Sequence, residues 1–90
     1  MSIDRTLRIV NEKGLHARAS ARFVETVERF DARVEVEKDG MSVSGDSIMG
    51  LLMLAASRGT EIALRASGPQ AEALVAALAA LVADRFGEPM

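Results

Sequence analysis

The sequence predicts an α+β domain of two layers, a four-stranded antiparallel sheet with three helices on one face in the order βαββαβα. Four stretches alternate apolar and polar residues with the period of a half-buried strand. Three others carry apolar residues at helical spacing or as a short unbroken run. Asp39-Gly40, between two of the alternating stretches, is a strong hairpin signal. The elements fill the chain without repeat, low-complexity tract or linker, so residues 1–90 are expected to form one domain.

Residues 3–10 set Ile3, Leu7 and Ile9 against Asp4, Thr6 and Arg8, which reads as the first strand. Asn11-Glu12-Lys13-Gly14 is turn chemistry, and a helix is expected from about 16 to 30, with Ser20, Phe23, Val24, Val27 and Phe30 on one stripe. Arg33-Val34-Glu35-Val36-Glu37 and Met41-Ser42-Val43 flank the Asp-Gly turn as antiparallel neighbours. A short helix is expected over the apolar stretch from Ile48 to Ala56, behind the cap candidates Asp46 and Ser47 and weakened by Gly50. Thr60 to Ala66 alternates, with Ile62, Leu64 and Ala66 inward. In the last helix Pro69 suits the first turn, Leu74, Leu78, Leu81 and Val82 form the buried stripe, and Gly87 suits the end.

Composition narrows the chemistry. The chain is 49% hydrophobic and 27% charged, as globular proteins are, and it should fold. So small a chain has little room for an enclosed cavity, so chemistry belongs at the surface. With no Cys and one His, disulfide frameworks, thiol catalysis and nitrogen/sulfur metal sites are excluded, and no metal or cofactor is expected. A net charge of −2 and 3% aromatic residues argue against nucleic acid as a partner. No apolar run reaches the ~20 residues of a membrane span, so a cytoplasmic protein without membrane insertion is expected.

The one imidazole stands in Gly14-Leu15-His16-Ala17-Arg18, at or beside the N-cap of the first helix. There the backbone N–H groups lack intrahelical partners and the dipole is positive. Arg18 and Arg22 add like charges one turn apart where acidic residues would be favoured. Each choice is locally unfavourable, and a dianion held at this terminus would reverse every sign. A phosphoryl group fits: neutral imidazole is a nucleophile, and its N-phosphoryl adduct stays activated for a second transfer. A lone His in a chain this small is more often a cap, a surface residue or a satisfied core residue, and spacing alone favours that reading.

Gly14-Leu15-His16-Ala17-Arg18, followed some 30 positions later by Ser47-Ile48-Met49-Gly50-Leu51, resembles the histidine-containing phosphocarrier (HPr) family of the phosphoenolpyruvate-dependent phosphotransferase system. The resemblance runs from about residue 3 to residue 86 and implies the family's open-faced β-sandwich. It implies that His16 is phosphorylated on Nδ1 by enzyme I and passes the group to an enzyme IIA. It further implies that Arg18 contacts the phosphoryl group, which the backbone of Ala17 and Arg18 helps to bind. Ser47 matches the regulatory serine of HPr kinase/phosphorylase, and Ile48, Met49 and Leu52 match the docking patch of a protein expected to be monomeric. Two departures stand out: Ala19 replaces the family's usual proline, and Asp46 replaces a lysine common before the serine. Ala19-Ser20 and Gly45-Asp46-Ser47-Ile48-Met49-Gly50 look more like the proteobacterial, nitrogen-related or regulatory branch than the sugar-transport members of Gram-positive bacteria.

Other readings compete at the second motif. Ser47 is a good N-cap without any kinase. Asp46-Ser47-Ile48 is also similar to the Asp-Ser-Leu of acyl carrier proteins, which would make Ser47 the working residue of an all-helical, acidic domain. A plain interaction module without phosphoryl chemistry is the third option.

Overall fold

The computed structural model describes residues 2–90. The chain forms β1 (Ser2–Arg8), α1 (Ala17–Glu28), β2 (Arg33–Lys38), β3 (Met41–Ser44), α2 (Ile48–Met53), β4 (Glu61–Ser67) and α3 (Ala71–Ala83), then a 3-10 turn at Arg85–Gly87. The expected order holds. All neighbouring strands are antiparallel, and the sheet runs β1-β4-β2-β3. This sheet rules out the all-helical arrangement that an acyl carrier would need.

Alternation decides the layers. Leu7, Val34, Val36, Ile62, Leu64 and Ala66 point to the helices and are buried, with Ile3 and Val43 half-buried beside them. Asp4, Thr6, Glu35, Glu37, Ser42, Ala63 and Arg65 alternate with them and are exposed, so one face of the sheet meets water. On the covered face Phe23 and Val27 of α1, Leu51 of α2 and Leu74 and Leu78 of α3 complete a core. At about 25 cal/mol per Å2, each such aliphatic or aromatic side chain gains about 1.5–3 kcal/mol from burial. No helix is long and apolar enough to cross a membrane among the described residues.

Boundaries moved where capping outweighed periodicity. β1 ends at Arg8, although Ile9 is fully buried and its N–H still reaches the Thr60 carbonyl at 2.9 Å. α1 begins at Ala17 because the extended backbone of His16 makes it the N-cap. α2 closes at Met53, and Ala55 then takes a positive φ of 52° that turns the chain away. α3 starts at Ala71 with Gln70 at its N-cap, which leaves Pro69 before the first turn. Val75 replaces Leu81 in its buried stripe, and the helix stops at Ala83, short of Gly87.

Gly50 looks like a helix defect in sequence, yet a Cβ there would come within 3.0 Å of Val43 Cβ and 3.1 Å of Ser47 Oγ. Its missing side chain lets α2 lie close to β3.

Candidate functional site

Three constraints fix the approach to α1. Gly14 has a φ of +66°, and a Cβ on it would meet the Ala56 carbonyl oxygen at 2.5 Å. Leu15 donates its N–H to that same carbonyl at 2.9 Å, so the loop before the helix is pinned to the segment after α2. Buried Ser20 donates from Oγ to the Leu15 carbonyl at 3.1 Å, and its N–H bonds the His16 carbonyl at 2.8 Å.

His16 is thereby held at the N-terminus of α1, half-buried. Its Nδ1 accepts from the Arg18 N–H at 3.2 Å, as an N-cap side chain should. Its Nε2 meets the Glu88 carboxylate. A carboxylate only accepts, so the ring proton lies on Nε2, and the bond from Arg18 independently requires Nδ1 to be unprotonated. Two contacts from different parts of the chain therefore select one tautomer.

Glu88 is held in turn by Asn11, whose Nδ2 donates to Glu88 Oε1 at 2.9 Å and to the Gly14 carbonyl at 2.8 Å. Asn11 is fully buried, and serving both acceptors leaves its own Oδ1 without a partner. Burial pushes the Glu88 carboxyl up, but hydrogen bonds from Asn11 and His16, together with the positive charge of Lys13, outweigh it. The carboxyl rests below its ordinary range.

Around the imidazole lies an open cleft of about 650 Å3, bordered by Lys13, His16, Ala17, Arg18, Glu88 and Met90. Arg18 is exposed and makes no ion pair among the described residues, so its guanidinium is available to a ligand. The first turn of α1 contains no acidic residue. Arg22 does not join it. Its Nη1 donates instead to the Phe86 carbonyl and ties α1 to the C-terminal turn. Asn11 and Glu88 escaped the sequence reading: Asn11 passes for a turn residue, and nothing near Glu88 marks it. Among the described residues no cluster of three or more metal-ligating side chains exists.

Ser47 caps α2, accepting from the Gly50 N–H at 3.0 Å. Ile48, Met49 and Met53 lie exposed at 41%, 69% and 63%, whereas Leu52 is half-buried and Leu51 and Leu54 belong to the core. Met53, next to the three residues that the resemblance places in the patch, is exposed as well. Asp46, the other cap candidate, is not the N-cap; its carboxylate accepts from the Ser44 hydroxyl at 2.6 Å in the turn before the helix.

The family profile described as "PTS HPr component phosphorylation site" matches residues 3–84. The phosphocarrier protein HPr of Cupriavidus necator is 42% identical over 86 residues, spanning 96% of this chain and 97% of that protein. The phosphocarrier protein NPr of Escherichia coli is 37% identical over 89 residues, 98% of this chain and 99% of its own length. Among solved structures, HPr from Thermoanaerobacter tengcongensis superposes with a TM-score of 0.93 at 40% identity, covering 98% of this chain and 99% of that one.

Proposed function

This chain belongs to the HPr family of phosphocarriers of the phosphotransferase system, and on that premise we propose that His16 Nδ1 is the atom that carries the phosphoryl group. Phospho-enzyme I is the donor and an enzyme IIA the acceptor. The observation that supports this most directly is the bond from the Arg18 N–H to Nδ1 at the start of α1. It aims the unprotonated nitrogen at the end of a helix where an anion is stabilised.

Transfer needs no proton movement on His16. The Nδ1 lone pair forms the N–P bond as phosphorus separates from the donor, which keeps the electron pair of the broken bond. The ring, still protonated on Nε2, becomes cationic and the attached group dianionic. The Arg18 N–H and guanidinium then take phosphoryl oxygens as acceptors. The second transfer reverses these changes, so the protein is a stoichiometric carrier that leaves both reactions unchanged. A shallow cleft suits this role, because each partner completes the site with its own groups.

Ile48, Met49 and Leu52, with Met53, supply the docking surface in this reading, since methionine adapts to several partners. Phosphorylation of Ser47 by HPr kinase/phosphorylase would add about −1.5 to −2 charge within that surface and weaken docking. The likeness to NPr of E. coli supports service in a regulatory, nitrogen-type system, beside the higher identity to HPr of Cupriavidus necator that fits the sugar-type role as well.

Incubation with phosphoenolpyruvate and an active enzyme I, of the sugar or the nitrogen type, tests the reading. Wild type gains one acid-labile phosphate and His16→Ala gains none. Failure of wild type to label with both enzyme I types refutes it.

A further inference from the structure

We propose that Glu88 is a positioning residue that occupies Nε2 of His16 and so reserves Nδ1 as the ring nitrogen that takes the phosphoryl group. The inference rests on the phosphocarrier reading above and adds to it a residue from the opposite end of the sequence.

An unconstrained imidazole offers two nitrogens to an electrophilic phosphorus. Here they are treated differently. Nε2 faces a carboxylate whose side chain is only 13% exposed, which covers that edge of the ring and repels an anionic phosphoryl donor. Nδ1 faces a backbone N–H at 3.2 Å, a donor that can transfer its bond to a phosphoryl oxygen.

The carboxylate is held in place by more than the histidine. Asn11 binds its other oxygen, at the cost of an orphaned buried Oδ1. Phe86, fully buried, anchors the turn that carries it, and the Glu88 N–H closes that turn on the Arg85 carbonyl at 2.9 Å. Arg85, Phe86 and Gly87 all adopt left-handed backbone, with φ of 56°, 55° and 77°. Two consecutive non-glycine residues in that region are an unfavourable conformation, kept by the burial of Phe86 and the bond from Arg22.

Glu88 also has the charge the chemistry requires. Once the N–P bond forms, the positive charge on the ring lies against the carboxylate. When the phosphoryl group leaves, its bonding pair returns to Nδ1 and the proton remains on Nε2. Glu88 thus orients and compensates without accepting the proton, as a carboxylate behind an imidazole commonly does.

Phosphoramidate, a small phosphoryl donor, tests this without any protein partner, with the phosphorylated nitrogen assigned by 31P and 15N spectroscopy. Wild type is expected to carry phosphate on Nδ1. In Glu88→Ala the share on Nε2 should rise by about tenfold, the scale set by losing one charged hydrogen bond. Glu88→Gln, which retains an acceptor oxygen, should restore Nδ1 selectivity while labelling more slowly. A general loss of structure would not give this rescue. Product confined to Nδ1 in Glu88→Ala, or a mixture in wild type, overturns the proposal. Failure of enzyme I to label wild type would instead refute the carrier reading while leaving the phosphoramidate result intact.

Discussion

Asn11 and Glu88, 77 positions apart in sequence, share a hydrogen bond of 2.9 Å beside the His16 imidazole. The turn before α1 and the turn after α3 are thereby parts of one site. Asn11→Ala removes donors to both Glu88 and the Gly14 carbonyl inside a fully buried position. We expect it to lower unfolding stability by about 1–3 kcal/mol, as deletion of a buried hydrogen-bonding group does. Urea denaturation measures this, and a loss under about 0.5 kcal/mol would mean that the amide is dispensable.

Gly14→Ala should damage the site more than the fold. The new Cβ would lie 2.5 Å from the Ala56 oxygen at a φ that side chains avoid, so the loop must shift and carry His16 with it. A stability loss of about 1–3 kcal/mol is expected, with a larger proportional fall in phosphorylation rate. Equal rates in the two proteins would show that His16 is not placed by this turn.

The depressed Glu88 carboxyl sets a pH window. Its folded-state pKa lies below the ordinary 4.5, so the stability it contributes is complete above that value and disappears as pH falls through the folded one. The gap in urea midpoint between wild type and Glu88→Gln should therefore be constant near neutrality and close as pH falls below the ordinary 4.5. A gap that persists undiminished in acid would contradict this assignment.

Ser47 separates a structural effect from a docking one. Ser47→Ala loses the acceptor for the Gly50 N–H and should cost about 1 kcal/mol, whereas Ser47→Asp retains a capping oxygen and should unfold near wild type. Only the aspartate variant should bind enzyme I more weakly. Unchanged turnover in Ser47→Asp would remove Ser47 from the interface.

Met49→Glu changes a side chain that is 69% exposed, so stability should stay within about 0.5 kcal/mol of wild type. Affinity for enzyme I should drop by about tenfold or more if the residue sits near the centre of the contact. Titration calorimetry decides it.

What could be read from the residues follows from the range of the forces involved. Alternation at Val34-Glu35-Val36 and the stripe Phe23, Val24, Val27 are local signals that tertiary packing reinforced, so element order, layers and these inward faces emerged correctly, while the stripe of α3 did so only in part. His16 and Arg18 sit together because a helix start brings neighbours together, and a short motif records that. Glu88 is different: its partners lie on the far side of the sequence, and no local pattern encodes a contact that exists only after α3 has packed. Arg22 was misassigned for the same reason. Spacing put it near Arg18, but the Phe86 carbonyl, unseen in any local window, claims it.

The strand order β1-β4-β2-β3 has a consequence for how the molecule comes into being. β4, last of the strands to be synthesised, lies between β1 and β2 and pairs with both. Until the ribosome has released residues 61–67, β1 has no partner and one edge of β2 lacks its neighbouring strand. The β2–β3 hairpin can close early, but the loop between residues 8 and 61 must be gathered before the sheet exists. During translation the nascent chain therefore exposes Leu7 and Val34 together with unpaired strand edges, the surface that chaperones hold.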